Sequence, residues 1–275
     1  MGEGPTLAGL GEWELIRRLG AFAPPGQFSD DAALIPGRDG NGNGATAAVG
    51  ALVINTDVLV EGLHFSDATT AAADVGWRAA VANLSDLAAM GCTEVVGITV
   101  GLVAPASTPW SWVEGVYGGL AEALKAFGGV LLGGDCSGGA QRLLAITAIG
   151  RLADASGREE AGSDGRWGSA GLGGVIRRGD GRPGDWLVTS GPHGLSRLGL
   201  ALLQAPKGPL AAGVAGAGGL AQRAIQAHRR PQARLDAVRA LIASRPAGVP
   251  WRVGGCDSSD GLAAAVAAVA AASGC

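Results

Sequence analysis

The sequence predicts a mixed α+β (mixed α/β) protein built in two parts, and three observations lead there. Strand-like and helix-like segments alternate up to about Leu152. A glycine- and acid-rich stretch over 153–174 then breaks the pattern. A second set of alternating segments fills 175–275. The expected organisation is an N-terminal sheet-plus-helices domain over 1–152, a Gly-rich insertion over 153–174 and an α/β C-terminal domain over 175–275.

Each element follows from local pattern. "GEWELIRRLGAF" sets Trp13, Ile16 and Leu19 or Gly20 at helical spacing, which predicts a short first helix. "ALVINTDVLV" is rich in β-branched residues and predicts a buried strand around Leu52–Thr56. "DVGWRAAVANLSDLAAMG" predicts a helix stopped by Gly91. "EVVGITVGLV" is a strand, and "WSWVEGVYGGLAEALKAFG" a helix closed by glycine. "GVLLGGD" predicts a short strand running into a tight turn that ends at Asp135, and "RLLAITAIGRL" another strand. In the second half, "GDWLVTSG" predicts a strand, while "GLSRLGLALLQ" and "RLDAVRALIAS" predict helices.

Composition narrows the function. Hydrophobic residues make up 47% of the 275 and charged residues 16%, enough for a sizeable core. A net charge of −3 offers no electrostatic case for a nucleic-acid partner. Lys125 and Lys207 are the lysines, and neither stands in a G-x-x-x-x-G-K-[ST] loop. No G-x-G-x-x-G follows a strand, and the protein-kinase motif set is missing. Any nucleotide is therefore bound by another kind of site. Cys92, Cys136, Cys256 and Cys275 form no C-x-x-C pair and are expected to be thiols in a reducing compartment. The longest apolar run, Leu262 to Ala272, is well short of the ~18 residues of a membrane span. The N-terminus has acids where a signal peptide would be basic. A cytoplasmic protein without a membrane partner is expected.

Carboxylates recur where elements meet: Asp30 and Asp31 in "SDDAAL", Asp57 in "NTDVLVEGLHF", Asp86 in "ANLSDLAAMG", Asp135 in "LLGGDCSGG", and Asp257 and Asp260 in "GCDSSDGL". Alone, each has an ordinary role. Asp30 suits a turn or N-cap, Asp135 a glycine turn, and Asp257 or Ser258 the cap of the alanine-rich helix. Asp86 fits such a role least. Its helix carries Trp77, Val81, Leu84, Leu87 and Met90 and is apolar almost all round, so it should be buried. A buried carboxylate needs a partner, and Asn83 shares its face. Several carboxylates with few lysines suggest hard cations held by oxygen, as magnesium is when it carries phosphates.

In order and spacing these segments resemble the thiamine-monophosphate kinase family, within the superfamily of aminoimidazole ribonucleotide synthetase and selenophosphate synthetase. The resemblance runs from about Glu12 to Gly261 through "GEWELIRRL", "SDDAAL", "NTDVLVEGLHF", "VGWRAAVANLSDLAAMG", "LLGGDCSGG", "RPGDWLVTSG", "HRRPQARLD" and "DSSDGL". It implies ATP-dependent phosphorylation of thiamine monophosphate to thiamine diphosphate by direct in-line transfer, with no phosphoenzyme. It implies a magnesium cluster on Asp30, Asn55, Thr56, Asp57, Asp86, Asp135, Asp257 and Asp260, with Asp57, Asp86 and Asp135 nearest the chemistry. Tyr117, Gly134, Asp135, Arg178 and Ser259 match nucleotide contacts, with Arg177 as an alternative to Arg178. His64, which alone reads as an ordinary side chain packed beside Phe65, matches a contact to the thiamine phosphate.

The resemblance further implies a homodimer formed through the N-terminal sheet. Three departures stand out. Ser258 replaces the isoleucine of the family's D-I-S-D-G, the 153–174 insertion is atypical, and the G-G-E-D-Y-like segment and later aromatic that meet the substrate are not found. The C-terminal domain is therefore expected to be incomplete. Two other readings stay open at this level. One is a related ATP enzyme, aminoimidazole ribonucleotide synthetase-like or hydrogenase-maturation-like; the other is a non-catalytic nucleotide-binding or dimerisation module.

Overall fold

The computed structural model describes residues 10, 12–24, 28–35, 51–152 and 174–275. The 153–174 insertion, apart from Gly174, lies outside the described residues. So does the glycine-rich loop that follows the first acidic pair.

The first half is a five-stranded sheet with helices on one face. The strands are β1 (Ala33–Ile35), β2 (Leu52–Val60), β3 (Cys92–Ala104), β4 (Val130–Gly138) and β5 (Leu143–Leu152), in the order β1-β2-β5-β3-β4. All neighbours are antiparallel except β3 and β4, which are parallel and joined by a helical crossover. Alternation fixes which face is covered. Along β2, Val53, Asn55 and Leu59 are buried while Thr56 and Val58 are exposed; along β5, Leu144, Ile146 and Ala148 are buried. The opposite face of the sheet is open.

The helices are α1 (Glu12–Leu19), α2 (Ala72–Ala89) and α3 (Trp110–Phe127), then α4 (Leu195–Gln204), α5 (Pro209–Val214), α6 (Leu220–Arg229), α7 (Leu235–Ala243) and α8 (Leu262–Ser273). α2 packs on β2, β5 and β3, and α3 lies along α2. Glycine permits that close approach: a Cβ at Gly76 would fall 1.9 Å from the Val116 carbonyl oxygen, and one at Gly119 1.8 Å from that of Ala73. Gly91, with φ +91°, ends α2 as expected. Beyond it the Met90 carbonyl accepts the Ile176 N–H at 3.1 Å, which brings the second half against the first. Ala233, Leu235 and Val238 join the core of the first half, and the Trp77 indole donates to the Pro231 carbonyl at 2.8 Å.

Two element expectations need correction. The strand expected from "GDWLVTSG" does not form: no described strand lies beside it to take its backbone hydrogen bonds. Its Trp186, Leu187 and Val188 are 95%, 66% and 82% exposed. Among the described residues the second half is helical, with one isolated bridge between Arg177 and Gly254. Asp135, expected to end a turn, instead lies within β4 opposite Gly101. The glycines before it let the strand continue where a turn was expected; a Cβ at Gly134 would sit 2.0 Å from the Val100 carbonyl oxygen.

Candidate functional site

The site begins where β2 faces α2. Alternation aims Asn55 and Asp57 at the helix, and the α2 periodicity aims Asn83 and Asp86 back at the strand. The Asn55 carboxamide donates to Asp86 Oδ2 at 2.7 Å and to Asn83 Oδ1 at 3.3 Å. Asn83 Oδ1 also accepts the Asp57 backbone N–H at 3.0 Å, and its amide donates to the Ala79 carbonyl at 2.9 Å. Asn83, fully buried, thereby locks strand to helix beside two carboxylates. Its signal in the sequence was its place three residues before Asp86.

Two further acids converge on Asp86. One carboxylate oxygen each of Asp31, Asp86 and Asp257 lies within 4.8 Å of the others. Asp257 comes from the segment before α8, and its backbone N–H holds the Asp31 carboxylate. Asp30 points elsewhere: it pairs with Arg177 at 3.2 Å and accepts the Arg178 backbone N–H at 2.9 Å. The sequence reading selected Asp30 of the adjacent pair; the structure brings Asp31 to the group. Arg178 pairs with Asp31, so its guanidinium stands at the edge of the acids.

Burial and crowding mark this group electrostatically. Burial pushes Asp86 up to about 8, helped by the charges of Asp257 and Asp57 and opposed by the Asn55 hydrogen bond. Burial, with the charges of Asp31 and Asp57, raises Asp257 to about 6. Asp57 and Asp31 are also raised, chiefly by burial, and are partly offset by His64 and Arg178 respectively. Asn55 Oδ1 is buried without a hydrogen-bond partner. Clustered carboxylates crowded against one another, beside an orphaned amide oxygen, form a donor set suited to a hard divalent cation.

The other expected residues lie around this group. Thr56 faces the open side of the sheet, where its hydroxyl meets that of Thr147 at 2.8 Å. Asp135, exposed on β4, stands in register with Gly101, Ala145 and Val58 on that same side. It is three strand spacings from β2, about 14 Å, so the structure does not bring Thr56 or Asp135 into the acid group. Gly134 is exposed beside Asp135, and Tyr117 on α3 hydrogen-bonds Cys136 across from it. Ser259 and Asp260 are exposed just past Asp257. Ser258, the departure noted above, shares a 3.0 Å hydrogen bond with His193 Nδ1. His64 is exposed on the turn after β2, and its Nδ1 accepts the Val60 N–H at 3.0 Å.

Comparison with known proteins agrees with this architecture. Residues 29–152 match the family described as AIR synthase related protein, N-terminal domain. The thiamine-monophosphate kinase of Prochlorococcus marinus is 44% identical over 98% of this chain and 72% of its own length. That of Synechococcus elongatus is also 44% identical, over 98% of this chain and 71% of its own length. Among solved structures, AaThiL complexed with AMPPCP and TMP superposes with a TM-score of 0.76 at 26% identity, covering 99% of this chain and 74% of that one. A sheet with one helix-covered face, an acid group between β2 and α2, and this level of identity over nearly the whole chain make the protein a member of the thiamine-monophosphate kinase family.

Proposed function

We propose that the protein phosphorylates thiamine monophosphate with ATP, giving thiamine diphosphate and ADP. The observation that carries the reading is the convergence of Asp31, Asp86 and Asp257 beside the orphaned Asn55 oxygen. Magnesium fits that donor set; Asp31, Asp57, Asp86, Asp257 and Asn55 would hold it, and when bound it supplies neutralisation of phosphate charge. Asp260 extends the ligand set carried over from the family pattern, Asp135 on the open face of the sheet stays apart from it, and Asp30 fixes the backbone beside it. Arg178 and Ser259, with Tyr117 and Gly134 across the sheet, bind and orient the nucleotide.

His64 meets the acceptor. Because Nδ1 accepts the Val60 N–H, the neutral ring presents Nε2–H outward as a donor to an anionic phosphate. A phosphate oxygen of thiamine monophosphate attacks the γ-phosphorus, the bond from that phosphorus to the β,γ-bridging oxygen breaks, and ADP leaves. The attacking oxygen is already anionic, so orientation and charge matter more than a base.

Three further points belong to this reading. The open sheet face and the exposed β4 residues Val130, Leu131 and Leu132 support a homodimer formed through the sheet. The division into parts at about residue 152 follows the end of β5. A cytoplasmic location accords with an ATP-consuming biosynthetic step; among the described residues no helix is long and apolar enough to cross a membrane.

The test incubates the purified chain with ATP, magnesium and thiamine monophosphate and separates the products by chromatography. Thiamine diphosphate and ADP in equal amounts are expected. ADP formed only with a different acceptor, or no thiamine diphosphate at all, would overturn the reading.

A further inference from the structure

Several contacts hold the turn that carries His64. The His64 N–H donates to the Val60 carbonyl at 2.9 Å, and the Gly62 N–H to that of Phe65 at 2.8 Å. Phe65 is buried and stacks on Trp112, with ring centroids 6.1 Å apart. Arg142 pairs with Glu61 and with Asp67 on either side of the turn and lies over the Trp112 ring. The carbonyl of His64 itself accepts from Arg78 Nη1 at 3.0 Å.

Arg78 is an unusual tenant of its position. Desolvation lowers its pKa, and the one charge that opposes this is the more distant Asp74. Among the described residues it makes no ion pair, because Asp74 pairs with Arg230 instead. A partly buried guanidinium without a carboxylate partner gives up hydration with no ion pair to offset it. It is kept where its donor meets the His64 carbonyl. Arg78 also sits on α2, eight residues before Asp86 and so about 12 Å along the same rigid helix.

We propose that Arg78 is a positioning residue for the acceptor substrate. It ties the His64 turn to the helix that bears Asp86, so that the outward ring nitrogen is held in register with the acid group. Nothing in the family resemblance assigned this residue a role. The inference rests on the reading of His64 as a contact to thiamine monophosphate, and its test has one arm that does not depend on that reading.

In the kinetic arm, Arg78→Met raises the KM for thiamine monophosphate about tenfold or more. It leaves the KM for ATP within about twofold and kcat within about threefold, and Arg78→Lys recovers most of the loss. In the spectroscopic arm, nitrogen-15 NMR of the imidazoles is read without substrate. His64 in the unaltered protein shows an unprotonated Nδ1 and a protonated Nε2 at a pH where the ring is neutral, and Arg78→Met shifts it toward the average of both tautomers. His64, His193 and His228 are the histidines, so assignment by single substitution is direct. Should Arg78→Met fail to fold, Arg78→Gln is read in the same two ways.

An unchanged His64 signature together with an unchanged KM for thiamine monophosphate overturns the proposal. So does an equal rise in the KM for both substrates. If the unaltered protein makes no thiamine diphosphate, the functional reading fails while the tautomer shift still decides the role of Arg78.

Discussion

At the scale of single residues, the acid group makes the protein's stability depend on pH in a particular direction. Asp86 is raised from 3.8 to about 8 in the fold, so between those values the folded chain keeps a proton that the unfolded chain has released. Its contribution is fully present below about pH 4 and is lost as pH rises through about 8; Asp257, at about 6, adds to the lower part of that window. With a chelator present, denaturation midpoints should therefore fall from pH 5 to pH 8 at this site. Magnesium, which displaces those protons, should flatten the slope; an unaltered slope with saturating magnesium would count against cation binding at Asp86. Much of the group was legible in the sequence: Asp57, Asp86 and Asp257 were named from their motifs. The sequence selected Asp30 in place of Asp31, because adjacent side chains point opposite ways and the pattern alone does not say which faces inward. Asn83 was seen only as a neighbour, since its hydrogen bonds to Asn55 and Asp57 arise when strand and helix meet.

At the scale of elements, the crossing of α2 and α3 sets where Asp86 lies. Gly119→Ala would place a methyl group 1.8 Å from the Ala73 carbonyl oxygen, backbone that cannot turn aside. A loss of about 1–3 kcal/mol is expected from such overpacking, read as a lower urea midpoint with an unchanged slope. Gly118, with open space around its Cβ position, serves as the control and should tolerate alanine. Helices and strands of the first half were predictable because one covered face imposes clear periodicity, as in β2 and β5. The strand expected at "GDWLVTSG" failed because strand propensity is a statement about a surface to pair with, and none of the described residues provides it. Asp135 was misplaced for a related reason: paired glycines signal a turn in isolation, while here they allow β4 to lie close against β3.

At the scale of the whole molecule, the two halves share one core and one site. Asp86 belongs to the first half, Asp257 and Arg178 to the second, and Arg230 joins them by pairing with Asp74 and Glu122 while lying over Trp77. Arg230→Ala should therefore weaken both stability and nucleotide binding, whereas Arg17→Ala, in an exposed pair within α1, should leave both unchanged. The proposed assembly is tested by light scattering: a dimer is expected, and Leu131→Asp on the exposed edge should return a monomer. Kinetics of Asp86→Asn test the central claim, that the buried acid group carries phosphoryl transfer to thiamine monophosphate, most directly. The substitution keeps the shape of the side chain and removes its charge. With magnesium, ATP and thiamine monophosphate, we predict a fall in kcat/KM of about a hundredfold or more, with the fold intact by circular dichroism. Turnover close to that of the unaltered protein would contradict it.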